Sequence, residues 1–175
     1  MIAGRIHLTI RFNSRIDVIT QTIEVSELLA EFIDELSTYV PIDYYSVIDN
    51  HSRLEPNKKE ALQLESLARI TDWYLIERLK DNDSVFIGNN KYGLDIMTFS
   101  VFGWRFAGVH GDLDKLNTVV KNVSLMTRQN YDVILTSHLH HLTIDEENKT
   151  IVVSNPSLMG TDDLAEKMRK NSYAA

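Results

Sequence analysis

The stretch VILTSHLHH, residues 133–141, places an apolar, β-branched run directly before three histidines. A short run of this kind is typical of a buried β-strand. The three histidines are half of the 6 in the chain, so their common position after one strand needs a specific explanation. In open α/β sheets, ligands bind beyond the carboxyl ends of the strands. The stretch therefore predicts a ligand site after a strand over 131–136.

Two other segments, VIDNH (47–51) and GVHGD (108–112), show the same pattern of an apolar run that leads into a histidine. Loops that follow different strands meet at one edge of a sheet, which gives a set of candidate ligands: Asn50, His51, His110, His138 and His140. Imidazole nitrogens and an amide oxygen suit borderline divalent ions such as Mn²⁺, Fe²⁺ and Zn²⁺. In an extended chain, the two-residue spacing of His138 and His140 places both rings on the same side, where they would serve neighbouring ions.

Helical and strand-like segments alternate along the sequence, which predicts the α/β class. In chain order, we predict a helix over 17–39, a strand over 42–48, a helix over 57–79, a strand over 84–88, a hairpin over 96–111, a helix over 112–128, a strand over 131–136, a hairpin over 142–155 and a helix over 164–171. From the sequence, we expect the residues before the first helix to form a short, irregular segment. No linker-like segment divides the chain, so we expect a single domain over 1–175.

Apolar residues at helical spacing predict which helix faces are buried. In the first helix the predicted core residues are Val18, Val25, Leu28, Leu29, Phe32, Ile33 and Leu36. In the second helix they are Leu62, Leu64, Leu67, Ile70 and Leu75.

Composition and charge exclude several classes of protein. The chain has no cysteine, so it has neither a disulfide framework nor a thiolate metal site. The net charge of −7 argues against a broad basic surface for nucleic acid, although a small metal-lined cleft could still hold such a substrate. No apolar run approaches the ~18 residues of a membrane helix. We expect no membrane partner and a cytoplasmic location.

Three motifs in order, Asn50-His51, the His110-Gly111 turn and His138-Leu139-His140, resemble the later motifs of the calcineurin-like metallophosphoesterases. In that family the corresponding motifs are Gly-Asn-His, a single His after a strand, and Gly-His-x-His. Four longer stretches resemble its phage-type branch, often described as DNA-repair-exonuclease-like: DNHSRLEPNKKE, VHGDLDK, YDVILTSHLHH and VVSNPSLMGTDD. The resemblance covers nearly the whole chain.

The resemblance implies a four-layer αββα sandwich, of which this chain would form a part, and hydrolysis of phosphoesters by a pair of divalent metal ions. Manganese is the first choice, with iron, zinc and nickel as alternatives. Asn50, His110 and His138 would bind one ion and His140 the other, while His51 would contact the phosphate as general acid or stabiliser of the transition state. Arg53 follows closely and would pair with a phosphate oxygen. The substrate would be a phosphodiester, with DNA the first candidate, in the cytoplasm of a bacterial host if the chain is phage-derived.

The sequence also departs from the family pattern. The Asp-x-His motif and the Gly-Asp motif whose Asp bridges the two metals have no counterpart ahead of Asn50, and Asp49 and Ser137 stand where the family motifs have Gly. We therefore expect a chain truncated at its N-terminus, with its C-terminus a second candidate for truncation. Neutral ligands alone do not offset the charge of a divalent ion, so we expect weakened metal binding, with the ion of Asn50, His110 and His138 the better held. An open sheet edge would invite association with a second copy or with a complementing N-terminal chain.

Each candidate residue also has a structural interpretation. His110 and His51 are also explained as ordinary hydrogen-bonded histidines, and Asn50 as a turn residue that tolerates positive φ. Arg53 is equally well explained as an exposed arginine after a turn. His141 is interpreted as a structural residue or an outer partner of the site, and Asp112 and Asp114 as helix N-terminal acids. At the level of function, the alternatives are a non-catalytic remnant or interaction module, and one half of a split enzyme.

Overall fold

The structure, a computed structural model, describes residues 14–156, in which helices and strands alternate. This alternation confirms the predicted α/β class. The chain forms two compact units, the first ending at Asn89 and the second beginning at Asn90. The predicted four-layer sandwich and the predicted single domain over 1–175 stay predictions. The predicted helix over 164–171 lies outside the described residues.

The first unit is a βαβ element preceded by a long helix. Over residues 14–89, its elements are α1 Val18–Ser37, β1 Ile42–Tyr44, α2 Ala68–Leu79 and β2 Val85–Ile87. β1 and β2 are parallel. The core forms where both helices meet this small sheet, and its buried members are Ala30, Ile33, Leu75 and Leu79. Asp17 caps α1, its Oδ1 accepting hydrogen bonds from the backbone N–H groups of Ile19 and Thr20 at 2.9 and 3.0 Å.

The predicted core face of α1 is partly wrong. Ile33 is buried as expected, but Leu28 and Phe32 are 62% and 59% exposed. The buried face instead contains small residues, and Ser26 donates to Thr71 Oγ1 of α2 at 3.0 Å. Small side chains let two helices approach closely, so they occupy the helix contact in place of the larger apolar residues. Helical spacing alone does not show whether the face of large apolar residues or the face of small residues is buried.

The second predicted helix is too long at its N-terminal end. It begins at Ala68 and not near residue 57, and the segment before it is an irregular loop. An isolated antiparallel bridge between Arg53 and Ser66 closes this loop. Leu62 and Leu64, predicted as core, are 61% and 64% exposed in the loop, whereas Leu75 is fully buried as predicted.

Over residues 90–156, the second unit contains a five-stranded mixed sheet and one helix. Its elements are β3 Ile96–Val101, β4 Trp104–Val109, α3 Leu116–Thr127, β5 Val133–Thr136, β6 Thr143–Glu147 and β7 Thr150–Ser154. The strand order is β3-β4-β5-β7-β6, with β4, β5 and β7 parallel. Residues of α3 pack with the middle of β5 and β7 in one apolar core that includes Val119, Val123, Ile134 and Val152.

Both predicted hairpins are confirmed. The β3–β4 turn lies at Phe102 and Gly103, with φ of 48° and 86°. The β6–β7 turn lies at Asn148 and Lys149, with φ of 52° and 68°. Two consecutive residues of positive φ match the right-handed twist of the paired strands, which is why such turns join hairpins. Among residues 14–156, no helix has the length and apolar character to cross a membrane.

A partly buried carboxyl, Asp72 of α2, accepts a hydrogen bond from Ser46 Oγ at 2.8 Å. Burial raises the pKa of Asp72, and the bond from Ser46 opposes that shift. Burial, and then the charge of Asp72, also raise the pKa of the neighbouring Tyr44 to about 12. The folded state therefore disfavours the ionised form of Asp72. Protonated Asp72 therefore contributes to the free energy of unfolding. This contribution is fully present below the pKa of Asp72 in the unfolded chain, and it is lost as pH rises through the higher pKa of Asp72 in the folded protein.

We expect Asp72→Asn to raise the free energy of unfolding at pH 7. Asparagine keeps the shape and the acceptor for Ser46 but never ionises, so the cost of burying a charge disappears. Below the ordinary carboxyl pKa of 3.8, where wild-type Asp72 is neutral in both states, the variant should lose this advantage. Urea unfolding at pH 7 and pH 3 measures both differences, with Asp43→Asn at the exposed position of β1 as the matched control. A variant no more stable than wild type at pH 7 would contradict the assignment.

Candidate metal centre

The carboxyl ends of β4 and β5 bring two predicted ligands together. These strands are parallel neighbours, so their ends lie at the same edge of the sheet. His110 follows β4 directly, and Ser137 and His138 follow β5. The ring centroids of His110 and His138 are 5.1 Å apart, with an angle of 69° between the ring planes. The structure thus places next to each other two histidines that are 28 positions apart in the sequence.

Ser137 links the two loops that carry these histidines. Its backbone N–H donates to the carbonyl oxygen of His110 at 3.0 Å. Its hydroxyl lies 3.0 Å from His110 Nδ1 and 3.1 Å from the His110 carbonyl oxygen. A histidine that binds a metal ordinarily has its other ring nitrogen hydrogen-bonded, so Nε2 would be the ligand atom of His110 in the predicted metal site. In the sequence, Ser137 is recognisable only as a departure from Gly, because nothing in the spacing predicts that its hydroxyl lies against His110.

The loop that contains His138 and His140 is not extended, so that expectation is wrong. Their φ angles are 57° and 60°, both left-handed. Leu139 N–H donates to the carbonyl oxygen of Ser137, which closes a tight turn. Alternation of side chains applies only to extended chain, so the two-residue spacing does not place these rings on one side. His140 is exposed, and His141 is exposed with Nδ1 3.0 Å from the carbonyl oxygen of Leu139 in its own loop.

In the first unit, Asn50 and His51 belong to a turn fixed by Asp49. Asp49 Oδ1 accepts hydrogen bonds from the backbone N–H groups of His51 and Ser52 at 2.6 and 2.9 Å. Ser52 is fully buried, and its hydroxyl lies 2.7 Å from that of Ser66. Asp49 therefore fixes the backbone turn that carries the predicted pair Asn50 and His51. In the family that the sequence resembles, the position of Asp49 is occupied by Gly. The strand predicted over 42–48 ends early, at Tyr44, which leaves residues 45–48 as part of this loop.

Arg53 directs its guanidinium towards its own loop. Nε donates to the carbonyl oxygen of Glu55 at 3.1 Å, and Nη2 donates to that of Pro56 at 2.9 Å. These contacts stabilise the loop before α2. Binding of a phosphate oxygen by Arg53 stays a prediction, and it would compete with these two hydrogen bonds.

The predicted site residues thus fall into two groups. His110, His138 and His140 lie in the second unit, and Asn50, His51 and Arg53 lie in the first. Within residues 14–156, no three His, Asp or Glu side chains form a cluster that could hold a metal ion. The His110–His138 pair offers two imidazole donors of the kind that Mn²⁺, Fe²⁺ or Zn²⁺ accept, and a complete ligand set requires groups beyond this pair.

The chain is similar to one curated relative and to several solved structures, while no family model matches it. The relative is the SPbeta prophage-derived uncharacterized protein YonJ of Bacillus subtilis strain 168, which is 29% identical over 165 residues. The match covers 89% of this chain but 40% of the relative, so the chain spans less than half the length of that protein.

Three of the solved structures illustrate the structural similarities. A novel archaeal phosphodiesterase is 15% identical with a TM-score of 0.40, the match covering 71% of this chain and 58% of that one. A predicted phosphoesterase from Streptococcus pneumoniae is 18% identical with a TM-score of 0.39, covering 78% and 68%. Vps29 from Entamoeba histolytica, in complex with Zn²⁺, is 13% identical with a TM-score of 0.40, covering 81% and 69%. All three TM-scores lie below 0.5, so these similarities establish neither the family nor the function of the chain.

Proposed function

We propose that the chain is part of a metal-dependent phosphoester hydrolase of the calcineurin-like metallophosphoesterase type. The observation that carries this proposal is the pair His110 and His138, brought together at the ends of adjacent parallel strands and connected through Ser137. The order of the three histidine motifs along the sequence supports it. The relative is prophage-derived, which supports the proposal that this chain comes from a phage and acts in the cytoplasm of a bacterial host.

In this proposal, Asn50, His110 and His138 hold one divalent ion and His140 belongs to a second. A bound ion of this kind supplies a Lewis acid and an activated water for attack on phosphorus. His51 contacts the phosphate, and the Asp49 turn keeps its backbone in place. Arg53 is proposed as a further phosphate contact. The proposed substrate is a phosphodiester, with DNA the first candidate, and manganese is the proposed ion.

A further part of the proposal concerns carboxylate ligands. The proposed ligands Asn50, His110, His138 and His140 are all neutral, and we propose that carboxylates from a second copy of the chain or from a complementing N-terminal chain complete the ligand set. Neutral imidazole and amide donors bring no negative charge to a divalent ion, so added carboxylates would strengthen its binding.

Metal content and hydrolysis test this function together. The protein is loaded with Mn²⁺, freed of excess ion, and measured by elemental analysis for metal per chain. The same sample is assayed with bis(p-nitrophenyl) phosphate, with and without EDTA. We expect at least one ion per chain and hydrolysis that EDTA abolishes. A chain that retains no ion and hydrolyses nothing, alone or after addition of Ni²⁺ or Zn²⁺, would contradict hydrolysis by this chain or by copies of it. That result would favour a non-catalytic module, or a half of a split enzyme that acts only with its complementing chain.

A further inference from the structure

β3 is an edge strand of the sheet in the second unit. Over residues 90–156, the strand order begins with β3 and ends with β6, so each of these two strands pairs on one side only. An edge strand presents backbone N–H and C=O groups to which another strand can bond. Proteins usually protect such edges with charged side chains, proline or bulges. The two edges of this sheet differ in that protection.

The β6 edge is protected and the β3 edge is not. Three of the five residues of β6 are acidic: Asp145, Glu146 and Glu147. Like charges that lie opposite each other destabilise a pair of strands, so β6 does not favour pairing with a second β6. The sequence of β3, IMTFSV, contains no charged residue and no proline. Its register with β4 runs from Ile96 to Val101 without a bulge. β3 is therefore the edge that is open to pairing.

Alternate residues of β3 direct their backbone groups away from β4. Arg105 of β4 uses both of its backbone groups on the side of β5, where its N–H donates to Asp132 Oδ2 at 2.7 Å and its carbonyl oxygen accepts from Asp132 N–H at 2.9 Å. Ser100, which lies opposite Arg105, is therefore in a pair without hydrogen bonds. Such pairs alternate with hydrogen-bonded pairs, so Thr98 and Ile96 also direct their N–H and C=O groups outward. Within residues 14–156, the outward backbone groups of Thr98 and Ser100 have no hydrogen-bond partner.

We propose that β3 pairs with β3 of a second copy of the chain, antiparallel and about a two-fold axis at Thr98. In this register, Thr98 lies opposite Thr98 of the second copy, and Ile96 lies opposite Ser100. Each of these residues directs both backbone groups across the contact, as hydrogen-bonded antiparallel pairs require. Two threonines opposite each other are a favourable cross-strand pair, and on the other face of the sheet Met97 meets Phe99 of the second copy. The strand carries no charge, so it meets its own copy without repulsion.

The acidic β6 edge favours a closed dimer as the product of this pairing. A contact about a two-fold axis uses the same surface of both copies and is complete after two chains. The joined sheet would end on both sides in β6, whose acidic residues oppose the addition of further copies. The contact uses none of the predicted metal ligands, so it does not depend on the hydrolase function.

Sedimentation equilibrium of the full chain over a range of concentrations tests this dimer. We expect an equilibrium between one chain and two, and hydrogen exchange at the amides of Thr98 and Ser100 that slows as the concentration rises. Thr98→Pro removes the outward N–H donor from each copy but keeps the hydrogen bonds between β3 and β4, which the neighbouring residues make. For this variant we expect dimerisation to be weaker by roughly tenfold or more.

Opposite charges at position 98 keep the test independent of any loss of folding. Thr98→Lys and Thr98→Glu each place like charges opposite each other at the two-fold axis, so each variant alone should be monomeric. An equimolar mixture of the two should restore the dimer as a mixed pair, which also shows that both variants fold. Ile144→Lys adds the same charge at an exposed position of the other edge strand and should leave dimerisation unchanged.

Three results would overturn the proposal. The first is a wild-type chain that stays monomeric up to millimolar concentration. The second is an assembly that both Thr98→Pro and Thr98→Lys leave as strong as in wild type, since that assembly would use a different surface. The third is a mixture of Thr98→Lys and Thr98→Glu that remains monomeric, since position 98 would then not face its own copy.

Discussion

Replacing His110 by alanine should lower the Mn²⁺ affinity of the chain by more than about 100-fold. Loss of an outer hydrogen-bond partner of a metal ligand alone typically costs roughly 10- to 100-fold, and loss of the ligand itself should cost more. The same change at His138 should have a similar effect, since both rings belong to one pair with centroids 5.1 Å apart. Calorimetric titration with Mn²⁺ measures the affinity directly.

His141→Ala is the matched control for these variants. His141 is in the same loop as His138, but its Nδ1 contacts the loop carbonyl of Leu139, and it is not a proposed ligand. We expect its loss to leave Mn²⁺ affinity unchanged. Equal affinities in wild type, His110→Ala and His138→Ala would show that the pair does not bind the ion.

The Ser137→Ala variant tests how much the orientation of the His110 ring contributes to Mn²⁺ affinity when both histidine ligands are kept. The variant keeps both imidazoles but removes the hydroxyl that lies 3.0 Å from His110 Nδ1. An intermediate loss of affinity is therefore expected, smaller than the loss in His110→Ala. An effect as large as removal of the histidine would mean that the loop, and not only the ring, depends on Ser137.

The sequence correctly predicted those helices, strands and turns that depend on contacts between residues close together in the chain. The strand over 131–136 and both hairpins follow from short apolar runs and from turn residues such as Phe102-Gly103 and Asn148-Lys149, which are adjacent in the chain. The start of α1 likewise follows from one residue, Asp17, and its side-chain bonds to the first turn. In each case the stabilising contacts connect residues a few positions apart.

The sequence pattern gave wrong predictions where contacts between residues distant in the chain decide which local structure forms. α1 has a face of large apolar residues and a face of small residues, and the small face is the one that contacts α2, where Ser26 bonds to Thr71, 45 positions away. The loop before α2 has helix-compatible residues, yet the distant pairing of Arg53 with Ser66 keeps it irregular. For the candidate site, the sequence predicted that His110 and His138 would meet, but not the left-handed turn at His138, since positive φ is uncommon for residues other than glycine.

The largest expected effect on stability in the second unit comes from Ile134→Ala. Ile134 is fully buried in β5, the central strand of the sheet, and belongs to the core that includes Val119 and Val152. Truncation to alanine removes three carbon atoms from water-excluded packing and leaves a cavity that surrounding strands fill only in part. Such changes lower the free energy of unfolding by about 2–5 kcal/mol, a large part of the total of a small domain.

Ile144→Ala on the edge strand β6 is the matched control, because it makes the same substitution at a strand position that is 68% exposed. Both variants lose the preference of isoleucine for strands, but only Ile134→Ala loses buried contacts. Urea unfolding should therefore show a change within about 0.5 kcal/mol for Ile144→Ala. Equal destabilisation of the two variants would mean that strand preference, and not packing against α3, accounts for the contribution of Ile134. A selective effect at Ile134 would show that the core beneath α3 stabilises the strand whose end carries Thr136, Ser137 and His138.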